Sequence, residues 1–134
     1  MKVFLDTNVI ASATATRGLC ADVFRTVVEF HDLMVSELLC DELRRILRDK
    51  FGTSPDTIDD LVWLLHQDTI WADALPLADL SLRDSADIAI VSAALNGGAE
   101  ALVTGDKEIL ELKRVGTLRT LSPRQFWDME RGQP

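Results

Sequence analysis

Basic residues are scarce in this chain, cysteine is nearly absent, and no hydrophobic run approaches the length of a membrane span. Fourteen Lys and Arg stand against twenty-two Asp and Glu, a net charge of −8 at pH 7. That balance excludes a broad, non-specific attraction to the phosphate backbone, so any nucleic-acid role must rest on a local site. The two cysteines, Cys20 and Cys40, stand in apolar surroundings with no further Cys or His at metal-ligand spacing. They read as reduced thiols, which argues against a disulfide framework and against a zinc site. The opening MKVFLDTN reaches a carboxylate after three apolar residues, too few for a signal peptide. With no apolar stretch of membrane-spanning length, a cytoplasmic protein with no membrane partner is expected. Repeats, linkers and low-complexity tracts are also missing.

What is present is the material for one core. A chain of 134 residues, 47% hydrophobic, fits a single domain over residues 1–134. Val3–Leu5 predicts a short buried strand, and 21–30 a helix with Val23, Phe24, Val27 and Val28 on one face. Leu33–Val35 predicts a second strand. Ser36 is a good N-cap for a helix to about Lys50, Gly52 stops it, and Ser54-Pro55 starts another. Residues 69–74 predict a strand and Pro76 a break; DSADIAIVSAALNGG reads as a buried helix ended by Gly97 and Gly98. Ala101–Val103 makes another strand, Asp106 starts a helix through about Lys113, and a strand at Leu118–Leu121 precedes a helix from Pro123. Short apolar strands alternating with helices imply a parallel sheet covered on both faces, the three-layer α/β/α class. In such sheets ligands bind beyond the carboxyl ends of the strands, which draws attention to acids just after strands.

Four carboxylates occupy places that a turn or cap would explain one at a time. Asp6 directly follows the first strand, where an Asx-type turn or a helix cap is the ordinary account. Asp106 follows ALVTG in the same way and would cap the helix KEILELK. Glu42 is separated from its acidic neighbours by geometry. At about 100° per residue Leu39, Leu43, Ile46 and Leu47 form one apolar stripe, with Glu42 at its edge and Glu37 and Asp41 on the solvated face. Pairing with Arg45 or Arg48 on the same helix would also account for Glu42. Asp87 precedes Ile90, Val91 and Ala94 at helical spacing and so opens the buried face of a very apolar helix. A first-turn acid beside an Asp84 N-cap explains its place but not its inward direction. A carboxylate facing a core is costly unless it is paired or metal-bound.

The α/β arrangement brings several of these acids to one end of one sheet. Converging carboxylates repel and raise one another's pKa values; a hard divalent cation removes that strain. Oxygen-only ligands favour Mg²⁺ or Mn²⁺ over zinc. Such a site can hold a phosphodiester, lower the pKa of a bound water and stabilise both oxygens of an in-line displacement.

The stretches VFLDTNVI, SELLCDEL, DSADIAIVSAALNGGAE and ALVTGDKEIL, in this order and spacing, resemble the successive motifs of PIN domains, especially the small bacterial VapC-type toxin group. The likeness runs from Met1 to about Leu121. It implies a Rossmann-like domain with a central parallel sheet and a metal-dependent ribonuclease whose acids would be Asp6, Glu42, Asp87 and Asp106. Asn8, Ser36 and Thr104 match positions that in such domains support those acids or the bound water. It further implies a toxin that cleaves RNA, a small antitoxin partner and a homodimer. One departure stands before Asp87: related chains often carry a proline and an extra acid where this one has Asp84-Ser85-Ala86, which leaves Asp84 as an auxiliary ligand through water or simply a cap.

The same reading gives Asp6 the bridging or primary metal-ligand role, Asp87 and Asp106 the rest of the set, and Glu42 either a further metal-ligand role or the orienting of the attacking water as a base. Arg44, Arg45, Arg48 and Lys50 cluster beside Glu42, and Lys107, Lys113 and Arg114 follow Asp106; these could grip flanking phosphates, although such a cluster is ordinarily a solvated face. Trp63, Leu64 and Leu65 widen the apolar stripe of their helix. A well-buried core helix is the simpler account, a dimer or antitoxin groove the functional one. His31 and His66, at helix ends, read as structural or exposed, and Trp71 and Trp127 as packing residues rather than base platforms. A receiver-type signalling module would need an adjacent acid pair after the first strand, and a haloacid-dehalogenase-like phosphatase a second Asp where Asn8 stands. A PIN fold retained only as a binding or scaffold module is the remaining alternative.

Overall fold

Val3, Phe4 and Leu5 are wholly buried because the strand they form is central. In the computed structural model, which describes residues 1–67, 69–72, 80 and 82–132, β1 (Lys2–Leu5) pairs in parallel with β2 (Asp32–Val35) on one side and β4 (Ala101–Val103) on the other. Beyond β2 lies β3 (Ile70–Trp71); beyond β4 lie β6 (Leu118–Leu121) and, antiparallel at the edge, β5 (Arg114–Val115). The helices are α1 (Thr7–Ala15), α2 (Leu19–Phe30), α3 (Glu37–Asp49), α4 (Pro55–Leu65), α5 (Ser85–Asn96), α6 (Lys107–Leu112) and α7 (Pro123–Glu130). A central, mostly parallel sheet flanked by helices is the expected α/β architecture.

The apolar periodicity is what builds it. Leu39, Leu43 and Leu47 of α3 and Val91 and Ala94 of α5 are buried, and each buried Leu contributes roughly 2 kcal/mol of apolar transfer free energy. Gly97 and Gly98 divide the helix stop between them. Gly98 takes the positive φ of 75° that ends α5, whereas a Cβ at Gly97 would stand 2.5 Å from Met34 Sδ and 2.9 Å from Ala72 Cβ. Gly97 is therefore required by the close approach of α5 to β2 and the residue after β3.

The structure departs from the sequence reading in four places. The chain after Asp6 turns at once into α1, whose small and β-branched residues TNVIASATA carry little helical amphipathicity and gave no periodic signal. Strand β5 is two residues long and was not expected. Leu65 is buried, but Trp63 and Leu64 of the same helix are 62% and 60% exposed, so α4 is not a wholly buried core helix. The strand expected over 69–74 is Ile70–Trp71, and its far end, with the break at Pro76, lies outside the described residues.

The remaining packing expectations are met. Trp71 is half-buried with its ring 4.5 Å from that of His66, and His31 meets Glu130 at 2.8 Å. Trp127 packs against the core. Cys20 and Cys40 are free thiols, and burial pushes Cys40 up to about 11, far from a reactive thiolate. Among the described residues no helix is long and apolar enough to cross a membrane.

Candidate active site

The site is built where β1 and β4 end side by side. The Asp6 backbone N–H donates to Val103 O at 2.9 Å, which carries the pairing of the two strands one residue past their ends. Asp6 is 7% exposed, and both carboxylate oxygens are engaged: Oδ1 accepts the Thr7 N–H at 2.7 Å and Oδ2 accepts the Thr104 hydroxyl at 2.6 Å. The same hydroxyl accepts the Asp106 N–H at 3.0 Å. Thr104 thus links the acid after β1 to the acid that opens α6. Of the three supporting positions, Thr104 bonds to Asp6, together with the backbone of Thr7, whereas Asn8 is exposed.

The caps inferred for these acids exist, and so does their convergence. Asp106 Oδ1 accepts the Ile109 N–H at 3.0 Å, Asp84 Oδ1 accepts the Ala86 N–H at 2.8 Å, and Ser36 Oγ accepts the Leu39 N–H at 3.2 Å. A capping acid can still contribute to the field of a site, because capping engages one oxygen and leaves the charge in place.

That field is strongly negative. Burial raises the Asp6 carboxyl above its ordinary range against the lowering effect of Thr104 and Thr7, and the Asp106 charge raises it further. Glu42, half-buried on α3, is raised by burial and then by Asp6, with Arg45 opposing and Asp84 adding. Asp87 moves from 3.8 to about 6, first through burial and then through Asp106, Asp84, Asp6 and Glu108. Glu108 was not anticipated. It lies in the first turn of α6, where an acid reads as a dipole partner, and its Oε1 accepts the Arg83 N–H at 3.0 Å just before the Asp84 cap.

The expected basic residues are less available. Arg44 pairs with Asp59 at 2.7 Å and Arg48 with Asp49 at 2.8 Å, both on the surface. Arg45 acts on Glu42, and Lys107 is the exposed first residue of α6.

The sequence model of the PIN domain matches residues 2–108, a span that contains all four principal acids. The chain belongs to the PIN domain family. Membership removes the receiver and phosphatase alternatives. No curated protein matches the chain by sequence. Among solved structures this PIN domain is similar to VapBC2 from Rickettsia felis, determined bound to a promoter DNA fragment, with TM-score 0.64 and 20% identity over 91% of this chain and 98% of that one. VapC20 from Mycobacterium tuberculosis, a toxin that cleaves the sarcin-ricin loop, gives 0.63 and 12% over 87% and 98%. FitAcB from Neisseria gonorrhoeae gives 0.60 and 17% over 91% and 98%. At these identities the likeness is one of fold.

The donor set suits a hard divalent cation. The charges of Asp106, Asp84 and Asp6 add to burial in raising the pKa values of Asp6, Glu42 and Asp87, Arg45 opposes this only at Glu42, and a Mg²⁺- or Mn²⁺-type ion would relieve that repulsion. Among the described residues no three His, Cys, Asp or Glu side chains already close around a single ion; the acids meet at electrostatic rather than coordination distance.

Proposed function

We propose that this PIN domain is a divalent-metal-dependent endoribonuclease, a hydrolase of phosphodiester bonds in single-stranded or structured RNA, and the toxin of a cytoplasmic toxin–antitoxin pair. The observation that carries the reading is the convergence of Asp6, Glu42, Asp87 and Asp106 on one field at the carboxyl end of the sheet, a field that adds to burial in raising Asp87 to about 6. Bound Mg²⁺ or Mn²⁺ would supply charge neutralisation and a water of lowered pKa. The chain's own part is positional. Thr7 and Thr104 hold Asp6, Thr104 ties Asp106 to the same point, and Glu42 orients the attacking water as a base. Asp87 completes the ligand set, with Asp84 and Ser36 fixing the helices that carry Asp87 and Glu42.

An antitoxin and a second copy of the chain are the protein partners in this reading. Exposed Val28 and Leu64 line an apolar groove of about 260 Å³ between α2 and α4, and Phe30 and Trp63 are exposed on the same two helices, a surface suited to an apolar partner segment. The toxin role is further supported by the likeness in fold to VapC20, a sarcin-ricin loop cleaving toxin.

The competing reading is a PIN fold kept as a binding module, favoured by the fact that Asp6, Asp84 and Asp106 each have a capping role without any ion. Thermal unfolding separates the two. A nuclease site that binds an ion only when folded gains stability with Mg²⁺ or Mn²⁺ and loses that gain in Asp87→Asn; a binding module melts at the same temperature with or without either ion.

A further inference from the structure

The cations of this acidic chain are not evenly neutralised. Arg25, Arg44 and Arg48 each meet a neighbouring carboxylate, from Asp22, Asp59 and Asp49. The segment from Lys113 to Arg131 carries Lys113, Arg114, Arg119, Arg124 and Arg131 against Asp128 and Glu130 alone, and Glu130 is already engaged by His31.

Three of those cations meet at the sheet edge. Arg114 and Arg119 are directly opposed in the β5–β6 ladder, a pairing of like charges that destabilises a hairpin unless an anion lies between them. The Arg119 guanidinium turns toward the thioether of Met129, Nη1 to Sδ 3.6 Å, rather than toward a carboxylate. Lys113 stands beside them at φ 58°, where glycine would fit without strain. Lys113 and Arg119, with Thr120, Ser122 and Gln125, line a cleft of about 490 Å³ between α6, β6 and α7. The Thr120 hydroxyl, in a residue 5% exposed, has no hydrogen-bond partner among the described residues.

One end of this cleft, at Leu121, adjoins Thr104, and Arg119 lies farther back, opposite Ala101. Leu121 O accepts the Thr104 N–H at 2.9 Å, so the end of β6 abuts the residue that links Asp6 to Asp106. Arg119 lies two residues earlier on β6, roughly 7 Å along the strand.

We propose that Lys113, Arg114 and Arg119 form the surface that grips backbone phosphates of the RNA flanking the scissile bond, an assignment that rests on the nuclease reading for the identity of the polyanion. The acids hold the reacting phosphodiester and the edge hairpin holds its neighbours. The Arg44 and Arg48 cluster, already paired, contributes little.

Anisotropy of a labelled single-stranded RNA, measured in EDTA so that nothing is cleaved, tests this directly. Lys113→Gln with Arg119→Gln weakens binding about tenfold and reduces the slope of log affinity against log salt by roughly 0.7 per cation removed, whereas Arg44→Gln with Arg48→Gln changes neither. The exposed single variant Arg114→Gln gives the same direction should the double variant melt early. Unchanged affinity and slope in the hairpin variants, or loss in the α3 variants instead, overturns the proposal, as does displacement of RNA by polyglutamate at equal charge, which would assign the hairpin to an acidic protein segment. Cleavage with Mg²⁺ or Mn²⁺, run in parallel, keeps the two readings apart. Cleavage without hairpin-dependent binding removes the hairpin and leaves the nuclease; hairpin-dependent binding without cleavage does the reverse.

Discussion

The Thr104 hydroxyl donates to Asp6 Oδ2 at 2.6 Å across a sequence separation of 98 residues, while accepting the Asp106 N–H at 3.0 Å. One buried side chain thereby sets the spacing between the first and the last acid of the site. Thr104→Val keeps the shape and removes both bonds, leaving a buried carboxylate oxygen and a backbone N–H without that partner. A loss of about 1–3 kcal/mol is expected, together with loss of RNA cleavage. Thr104→Ser restores both stability and activity. A valine variant that melts and cleaves like the parent would remove Thr104 from the site.

The pKa of Asp87 makes metal-free stability fall as pH rises. Its folded value, about 6, lies above its ordinary 3.8, so between those values the folded state binds the proton more tightly than the unfolded chain does, and stability is lost as pH climbs through that window. The neutral variant Asp87→Asn escapes this loss. In EDTA it should match the parent near pH 4 and exceed it at pH 7 by on the order of 1 kcal/mol, once solvent screening of a half-buried group is discounted. Added Mn²⁺ should reverse the order at pH 7. Parallel melting curves for the two proteins across the whole range would contradict the assignment.

Leu65 and Trp63 are two residues apart on α4 with opposite environments, 2% and 62% exposed. Leu65→Ala should cost roughly 2–5 kcal/mol, and Trp63→Ser about 0.5 kcal/mol or less. Chemical denaturation reads both. A large cost at Trp63 in the isolated chain would mean that this surface is packed within the protomer rather than open to a partner.

Gly97→Ala isolates packing from backbone freedom. Its φ is negative, so alanine meets no conformational penalty, yet the new methyl collides with Met34 and Ala72. Overpacking of this kind should destabilise by about 1–3 kcal/mol. A neutral or stabilising result in thermal melts would show that Met34 moves aside freely.

Most strands and helices were legible because their apolar residues repeat at the period of the element and their ends carry caps, as at Ser36, Ser54-Pro55 and Asp106. Helix α1 was not legible, since TNVIASATA has no stripe and is held by tertiary burial of Val9, Ile10 and Ala11. The acids were readable from their positions after strands and on helix faces. Their partners were harder. Asn8 is adjacent to Asp6 in sequence but faces solvent, while the group that orients Asp6 arrives from the far end of the chain. Glu108 was passed over because nothing local signals that its charge acts on Asp87. The Arg44 and Arg48 cluster looked free because Asp59, which neutralises Arg44, belongs to the next helix.

The central claim is that the acids at the end of β1, on α3 and α5 and at the start of α6 form a metal-dependent phosphodiesterase for RNA. Its most direct test is cleavage of a panel of single-stranded and structured RNAs by the purified protein with Mg²⁺ or Mn²⁺, beside EDTA controls and the variants Asp6→Asn and Asp87→Asn. The account predicts cut RNA with the parent and either ion, and intact RNA in EDTA and with both variants. Intact RNA throughout, or cleavage that persists in EDTA and in both variants, would contradict it.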